Sequence, residues 1–208
     1  MRYEAGRVRV SCPRCLRPAP FCPCADLPVA PSRSRVVLLQ HPREARLAIC
    51  SARLTRVALE NAELHRGVVF EEHPRVRALA AVPGAALLFP GAGAEPAATR
   101  AAAPPPVLFV VDGTWLQAEK MLSVNPTLAA LPRLAVFPSE PSGYGALRRE
   151  PAEGHLSTAE AVALALGDLE GDPARFGPLV RAFRATVARQ LECATGERRS
   201  PRHRPGKA

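Results

Sequence analysis

The stretch Val107–Val111 (VLFVV) is apolar at every position and runs straight into Asp112-Gly113-Thr114-Trp115. A strand with one wet face alternates apolar and polar residues, so an unbroken apolar strand needs cover on both faces, as in parallel sheets flanked by helices. Arg35–Gln40 (RVVLLQ) has the same character, and Ala85–Phe89 and Leu134–Phe137 are shorter runs of the same kind. Between them fall helical stretches: Ala45–Glu60, with Leu47, Leu54, Val57 and Ala58 near helical spacing, then Leu116–Ser123, Ser157–Leu166 and Phe176–Glu192. Strands alternating with helices predict an α/β fold with a mostly parallel sheet. Asn61–Gly67 reads as a turn, Val68–Glu71 as a further candidate strand, and Val76–Ala81 fits either class. Gly91–Pro106 is low in complexity and reads as a loop, since Pro104, Pro105 and Pro106 preclude helix; Pro138–Gly154 reads as a second long loop.

The chain has 208 residues, 47% of them hydrophobic, enough for the core of one ordinary domain. No apolar run is long enough to span a bilayer, so no membrane partner is expected. Met1–Ser11 alternates charge and lacks an apolar stretch, which does not fit a secretory signal and predicts a cytoplasmic protein. The net charge is +9, and of 28 basic residues only Lys120 and Lys207 are lysine. A basic excess points to a polyanion, and the planar guanidinium suits phosphate. Most of the preference for arginine over lysine goes with an abundance of Ala, Pro and Gly, the mark of a G+C-rich coding sequence, while the net charge itself still points to nucleic acid.

Cys12, Cys15, Cys22 and Cys24 follow the spacing C-x2-C-x6-C-x-C. Two close thiol pairs can surround a zinc ion tetrahedrally, or hold an iron–sulfur cluster; disulfides are disfavoured in a reducing compartment. With thiolates at all positions such a zinc is structural. Residues 1–30 therefore read as a small metal-held lobe, whose Arg14 and Arg17 also face RNA in this reading, residues 31–195 as the main domain, and residues 196–208 as a basic, disordered tail. Cys50 and Cys193 lack partners and read as packing residues.

Open parallel sheets bind ligands beyond the carboxyl ends of their strands. Three loops sit at such ends: Phe89-Pro90-Gly91, Asp112 to Trp115, and Pro138–Gly154. Asp112 leaves an apolar strand and can accept a proton or hold an amine; it can equally cap a helix. Trp115 can stack on a base or anchor the core. Ser157 and Glu160 fit a capping box, and a helix start also suits an anion. Arg148 and Arg149 fit phosphate binding or a solvated face, and His41, before Pro42, a catalytic or a locally bonded histidine.

Periodicity and spacing stop at an α/β protein with a metal lobe and an anionic partner. The ordered segments CPRCLRPAPFCPCADLP, HPREAR, LLFPG, VVDGTWLQAEKM and YGALRREPAEGHLSTAEAVALAL resemble the DTW-domain family, over roughly residues 10 to 170. The resemblance implies transfer of the 3-amino-3-carboxypropyl group of S-adenosylmethionine to N3 of a tRNA uridine, releasing 5′-methylthioadenosine. It implies a fold related to the SPOUT methyltransferases, with a deep C-terminal knot formed by the three loops above.

On the same footing, Asp112, Thr114 and Trp115 are the catalytic candidates. Asp112 either accepts the uridine proton or grips the donor's α-ammonium. Leu88, Phe89, Pro90, Gly91, Asp112, Gly113, Tyr144, Leu147, Ser157, Thr158 and Glu160 would bind S-adenosylmethionine. His41, Arg43, Arg148 and Arg149 would meet tRNA, with no role for DNA. Similar proteins tend to carry Gly-Thr where Cys50-Ser51 stand here, so the side chain of Cys50 narrows a close approach. An RNA methyltransferase of the SPOUT type and a zinc-dependent RNA-binding protein remain as alternatives, and a monomer and a homodimer are equally compatible.

Overall fold

The computed structural model describes residues 10–47, 49–138, 142–143 and 156–195. In chain order its elements are β1 (Arg35–Gln40), α1 (Ser51–Ala58), β2 (Ala62–Arg66), α2 (Pro74–Ala80), β3 (Ala86–Leu88), β4 (Glu95–Pro96), β5 (Val107–Asp112), α3 (Trp115–Ser123), α4 (Pro126–Ala129), β6 (Arg133–Ala135), α5 (Thr158–Glu170) and α6 (Pro173–Thr195). The strands form one sheet in the order β2-β1-β5-β3-β6-β4, every pairing parallel. The α/β reading and the parallel sheet are borne out.

Side chains alternate across a strand, and here both sets are apolar. Val36, Leu38, Leu108 and Val110 pack with α1, α5 and α6, whereas Val37, Leu39, Val107 and Phe109 pack with α2, α3 and α4. The sheet is thus the middle of three layers. Full burial of each such side chain contributes roughly 1.5–3 kcal/mol. The same parity turns the last residues of β1 and β5, Gln40 and Asp112, to the α1/α5 side, where they are paired in register.

Several elements depart from the sequence reading. Asn61–Gly67 is not a plain turn: it contains β2, whose polar Glu63, His65 and Arg66 are tolerated because it is an edge strand. Glu63 is held there by Arg35 at 2.8 Å and Arg75 at 2.6 Å. Val68–Glu71 is not a strand. Asn125 satisfies its backbone instead, accepting from Phe70 N at 2.5 Å and donating to Val68 O at 2.8 Å, while Phe70 fills the core. Val76–Ala81 resolves as helix to Ala80 with Ala81 as its C-cap, opened by Pro74 and by His73 Nδ1 accepting from Val76 N at 3.3 Å.

The helix expected over 45–60 is two pieces, a 3-10 turn at Glu44–Arg46 and α1, separated by the extended Cys50. Gly91–Pro106 holds β4 and a 3-10 turn at Ala97–Arg100, and residues 104–106 are non-helical as expected. β6 stops at Ala135, short of the Phe137 boundary, and α6 starts at Pro173 rather than Phe176. Residues 196–208 lie outside the described residues.

Candidate active site at the carboxyl edge of the sheet

A cavity of about 390 Å³ opens where β3, β5 and β6 end against the start of α5. That is the edge where parallel sheets receive ligands, and the volume falls in the usual range for ligand pockets, about 300–1,000 Å³. Of the residues singled out from sequence, Leu88, Phe89, Pro90, Gly113, Trp115 and Thr158 line it. Gly91 follows Pro90 in the chain. Tyr144, Leu147, Arg148 and Arg149 lie outside the described residues, as does most of the segment joining β6 to α5. Val110, Val111, Ala135, Phe137, Leu156 and Ala161 also form walls. Sequence reasoning missed these because only the assembled layers show which apolar residues border an opening.

Local rules build the rim. Thr114 caps α3: its Oγ1 accepts from Gln117 N at 3.3 Å while Gln117 Oε1 accepts from Thr114 N at 2.8 Å. Trp115 is therefore the first residue of a helix whose entry is fixed, and its ring lies 5.4 Å from that of Phe89, tilted by 52°. The Arg133 guanidinium sits 5.9 Å over the Phe89 ring. Phe137, which also lines the cavity, is 72% exposed.

Asp112 is buried beside this cavity. Its Oδ1 accepts from Thr158 Oγ1 at 2.5 Å and its Oδ2 from Gln40 Nε2 at 2.8 Å. Thr158 opens α5, and a helix start favours negative charge. The backbone adds a link, His41 N donating to Asp112 O at 2.8 Å. Gln40 Nε2 also donates to Cys50 Sγ at 3.0 Å. Burial pushes the Cys50 thiol up from its ordinary pKa, and the charge of Asp112 adds to this. Cys50 is thus a buried thiol packed against the Gln40–Asp112 pair.

Ser157 and Glu160 form the capping box that their spacing predicts. The Glu160 carboxylate accepts from Ser142 Oγ (2.8 Å), Gly143 N (2.7 Å), Ser157 N (3.1 Å) and Ser157 Oγ (2.8 Å). Thr158, not Glu160, borders the cavity. A Cβ at Gly143 would come 2.8 Å from Arg184 Cγ and 3.1 Å from Glu160 Oε1, so this close approach requires glycine. His41 is half-buried, its Nδ1 accepting from Arg43 N at 3.2 Å, and Arg43 is exposed.

Away from the cavity, the sulfurs of Cys12, Cys15, Cys22 and Cys24 all lie within 4.8 Å of one another, with Cys15 and Cys22 3.6 Å apart. Backbone N–H groups of Cys15 and Arg14 lower the Cys12 thiol to about 6, whereas burial raises those of Cys15 and Cys24. Arg53 ties this segment to α1, donating to Cys15 O at 3.3 Å and to Ala45 O at 2.7 Å. Arg14 reaches Cys24 O and Val57 O, at 3.5 Å and 3.4 Å.

The profile of the DTW domain matches residues 9–191. This chain belongs to the DTW-domain family. The match spans both the cysteine segment and the residues around the cavity. Among curated proteins, the chain is 32% identical over 92% of its length to tRNA-uridine aminocarboxypropyltransferase 2 of Drosophila melanogaster, covering 79% of that protein. It is 28% identical to the protein of the same name from Macaca fascicularis, over 96% of this chain and 70% of the other. To tRNA-uridine aminocarboxypropyltransferase A of Arabidopsis thaliana it is 29% identical, over 81% of this chain and 76% of the other. No solved structure matches the chain.

Proposed function

We propose that this DTW-domain protein transfers the 3-amino-3-carboxypropyl group of S-adenosylmethionine to N3 of a uridine in tRNA. The observation that carries the reading is a clamped, buried carboxylate, Asp112, beside an aromatic-walled cavity at the ligand-binding edge of a parallel sheet. The activity named for its relatives accords with it.

The donor supplies an electrophilic side-chain carbon on a sulfonium: N3 bonds to that carbon as the carbon–sulfur bond breaks, its electron pair leaving on neutral 5′-methylthioadenosine. The N3 proton needs a base, and in this reading Asp112, beside the cavity, accepts it and passes it to solvent. Trp115 and Phe89 offer flat apolar faces for adenine or the uridine. Thr158 holds Asp112 from the cavity side. Orientation carries much of the burden, because three carbons on that sulfur are electrophilic and only geometry selects among them. The net charge of +9 and the exposed Arg43 suit a polyanionic tRNA.

Zinc fits the cysteine cluster. Bonds of about 2.3 Å to four tetrahedral thiolates imply sulfur–sulfur edges of about 3.8 Å, close to the observed packing. All four sulfurs would be ligands, leaving no open position, so the ion would be structural. A cytoplasmic location accords with this reading, because a thiolate zinc site needs its cysteines kept reduced.

The test is incubation with S-adenosylmethionine and unmodified tRNA, with chromatography of the small products and mass analysis of the nucleosides. Release of 5′-methylthioadenosine matched by aminocarboxypropyl-uridine is expected, and Asp112→Ala should abolish both while still folding cooperatively, at a lowered melting temperature because Gln40 Nε2 and Thr158 Oγ1 lose their acceptor. Release of S-adenosylhomocysteine instead would make the protein a methyltransferase.

A further inference from the structure

Gln40 ends a strand that is otherwise apolar on the α1/α5 side, where Val36 and Leu38 precede it. Its side chain is fully buried, and its Oε1 has no hydrogen-bond partner among the described residues. A buried amide with an idle acceptor is unfavourable for folding, and an apolar side chain of similar volume would remove the cost. Nor can the amide turn over, since Oε1 would then face a carboxylate oxygen of Asp112, acceptor against acceptor. The residue is poorly suited to stability and well suited to Asp112.

We infer that Gln40 is a positioning residue, which with Thr158 clamps the Asp112 carboxylate from both sides and holds it in one orientation beside the cavity. The inference rests on the proposed role of Asp112. Register explains the pairing: Gln40 and Asp112 are neighbours across β1 and β5, on the same face, each donating or accepting at the strand end. The other groups facing this network, among the described residues, are Cys50 from the start of α1, with the Arg17 and Arg53 guanidiniums near its thiol, and Thr158 from α5. His41 follows Gln40 in the chain and bonds the Asp112 carbonyl through its backbone.

The experiment compares wild type, Gln40→Met and Gln40→Glu in the tRNA assay across pH, with melting temperatures alongside. Gln40→Met should lower kcat by about 10- to 100-fold, the weight of one hydrogen bond to a charged group. KM for tRNA should hold, and the acid limb of the kcat profile should move to higher pH, because a donor to the ionised form is lost. Gln40→Glu sets two carboxyl groups to share one proton and should move that limb further in the same direction; it carries the test if Gln40→Met does not fold. A variant with the parent's rate and pH profile overturns the inference, and so does a loss expressed only as a raised KM for the donor, which would make Gln40 a substrate contact. An inactive wild type would instead defeat the proposed function itself.

Discussion

Glu160 offers the sharpest separation between holding the fold and touching a ligand. Its carboxylate is 5% exposed and accepts four hydrogen bonds, three on Oε2 and one, from Gly143 N, on Oε1. In Glu160→Gln the carbonyl oxygen can keep the group of three, leaving the new NH2 opposed to the Gly143 N–H. One lost acceptor for a partly buried N–H costs about 1–2 kcal/mol. In Glu160→Ala the Ser157 and Gly143 N–H groups both lose their acceptor and the capping box is broken, for about 3 kcal/mol in all. For a domain of this size that corresponds to a fall of roughly 6–12 °C in melting temperature. Urea unfolding at neutral pH measures both, with the midpoint moving and the slope unchanged. The expected order of stability is Glu, Gln, Ala. If Glu160→Gln unfolds like the parent while KM for S-adenosylmethionine rises, the carboxylate contacts the donor and the structural account is refuted.

Two further outcomes follow from the surface and the cysteine segment. Cys15→Ser should lose zinc, measured by elemental mass spectrometry of the purified protein, and unfold at lower temperature because the segment packs on the core of α1; equimolar zinc in the variant would exclude Cys15 as a ligand. Glu63, bonded first of all by Arg75 and then by His65 and Arg35, has its carboxyl lowered from 4.5 to about 2. A depressed carboxylate stabilises above its unfolded value and loses that contribution as pH falls toward 2. Glu63→Gln should therefore cost about 1 kcal/mol at neutral pH, the discounted worth of a partly exposed pair, and the difference should vanish below about pH 2. Urea midpoints against pH would show it, and a constant difference would argue against the ion pairs.

Elements governed by nearest neighbours were readable in the chain. β1 and β5 declare themselves because both of their faces are apolar, and α5 because Ser157 with Glu160 caps it locally; α3 is capped by Thr114 with Gln117, not by Asp112, the cap candidate from sequence. β2 was hidden: its ELHR composition is that of a solvated turn, and only its place at the sheet edge lets those charges stay wet. Val68–Glu71 misled in the opposite sense, since Phe70 anchors a loop whose backbone is satisfied by Asn125, distant in sequence. Within the site, Asp112, Trp115 and Thr158 could be picked from motifs. Gln40 could not, because its significance depends on strand register and on a face shared with Asp112.

The strand order has a consequence for how the molecule comes into being. β1 sits between β2 and β5, and β5 between β1 and β3, so the middle of the sheet is completed only by residues 107–112. As the chain leaves the ribosome, β1 can pair with β2 early, yet its other edge stays unsatisfied until β5 emerges many residues later. Such distant pairings slow folding and leave bare edges open to misassociation meanwhile. The strand that carries Asp112 is thus also the one that joins the early half of the sheet to the later half.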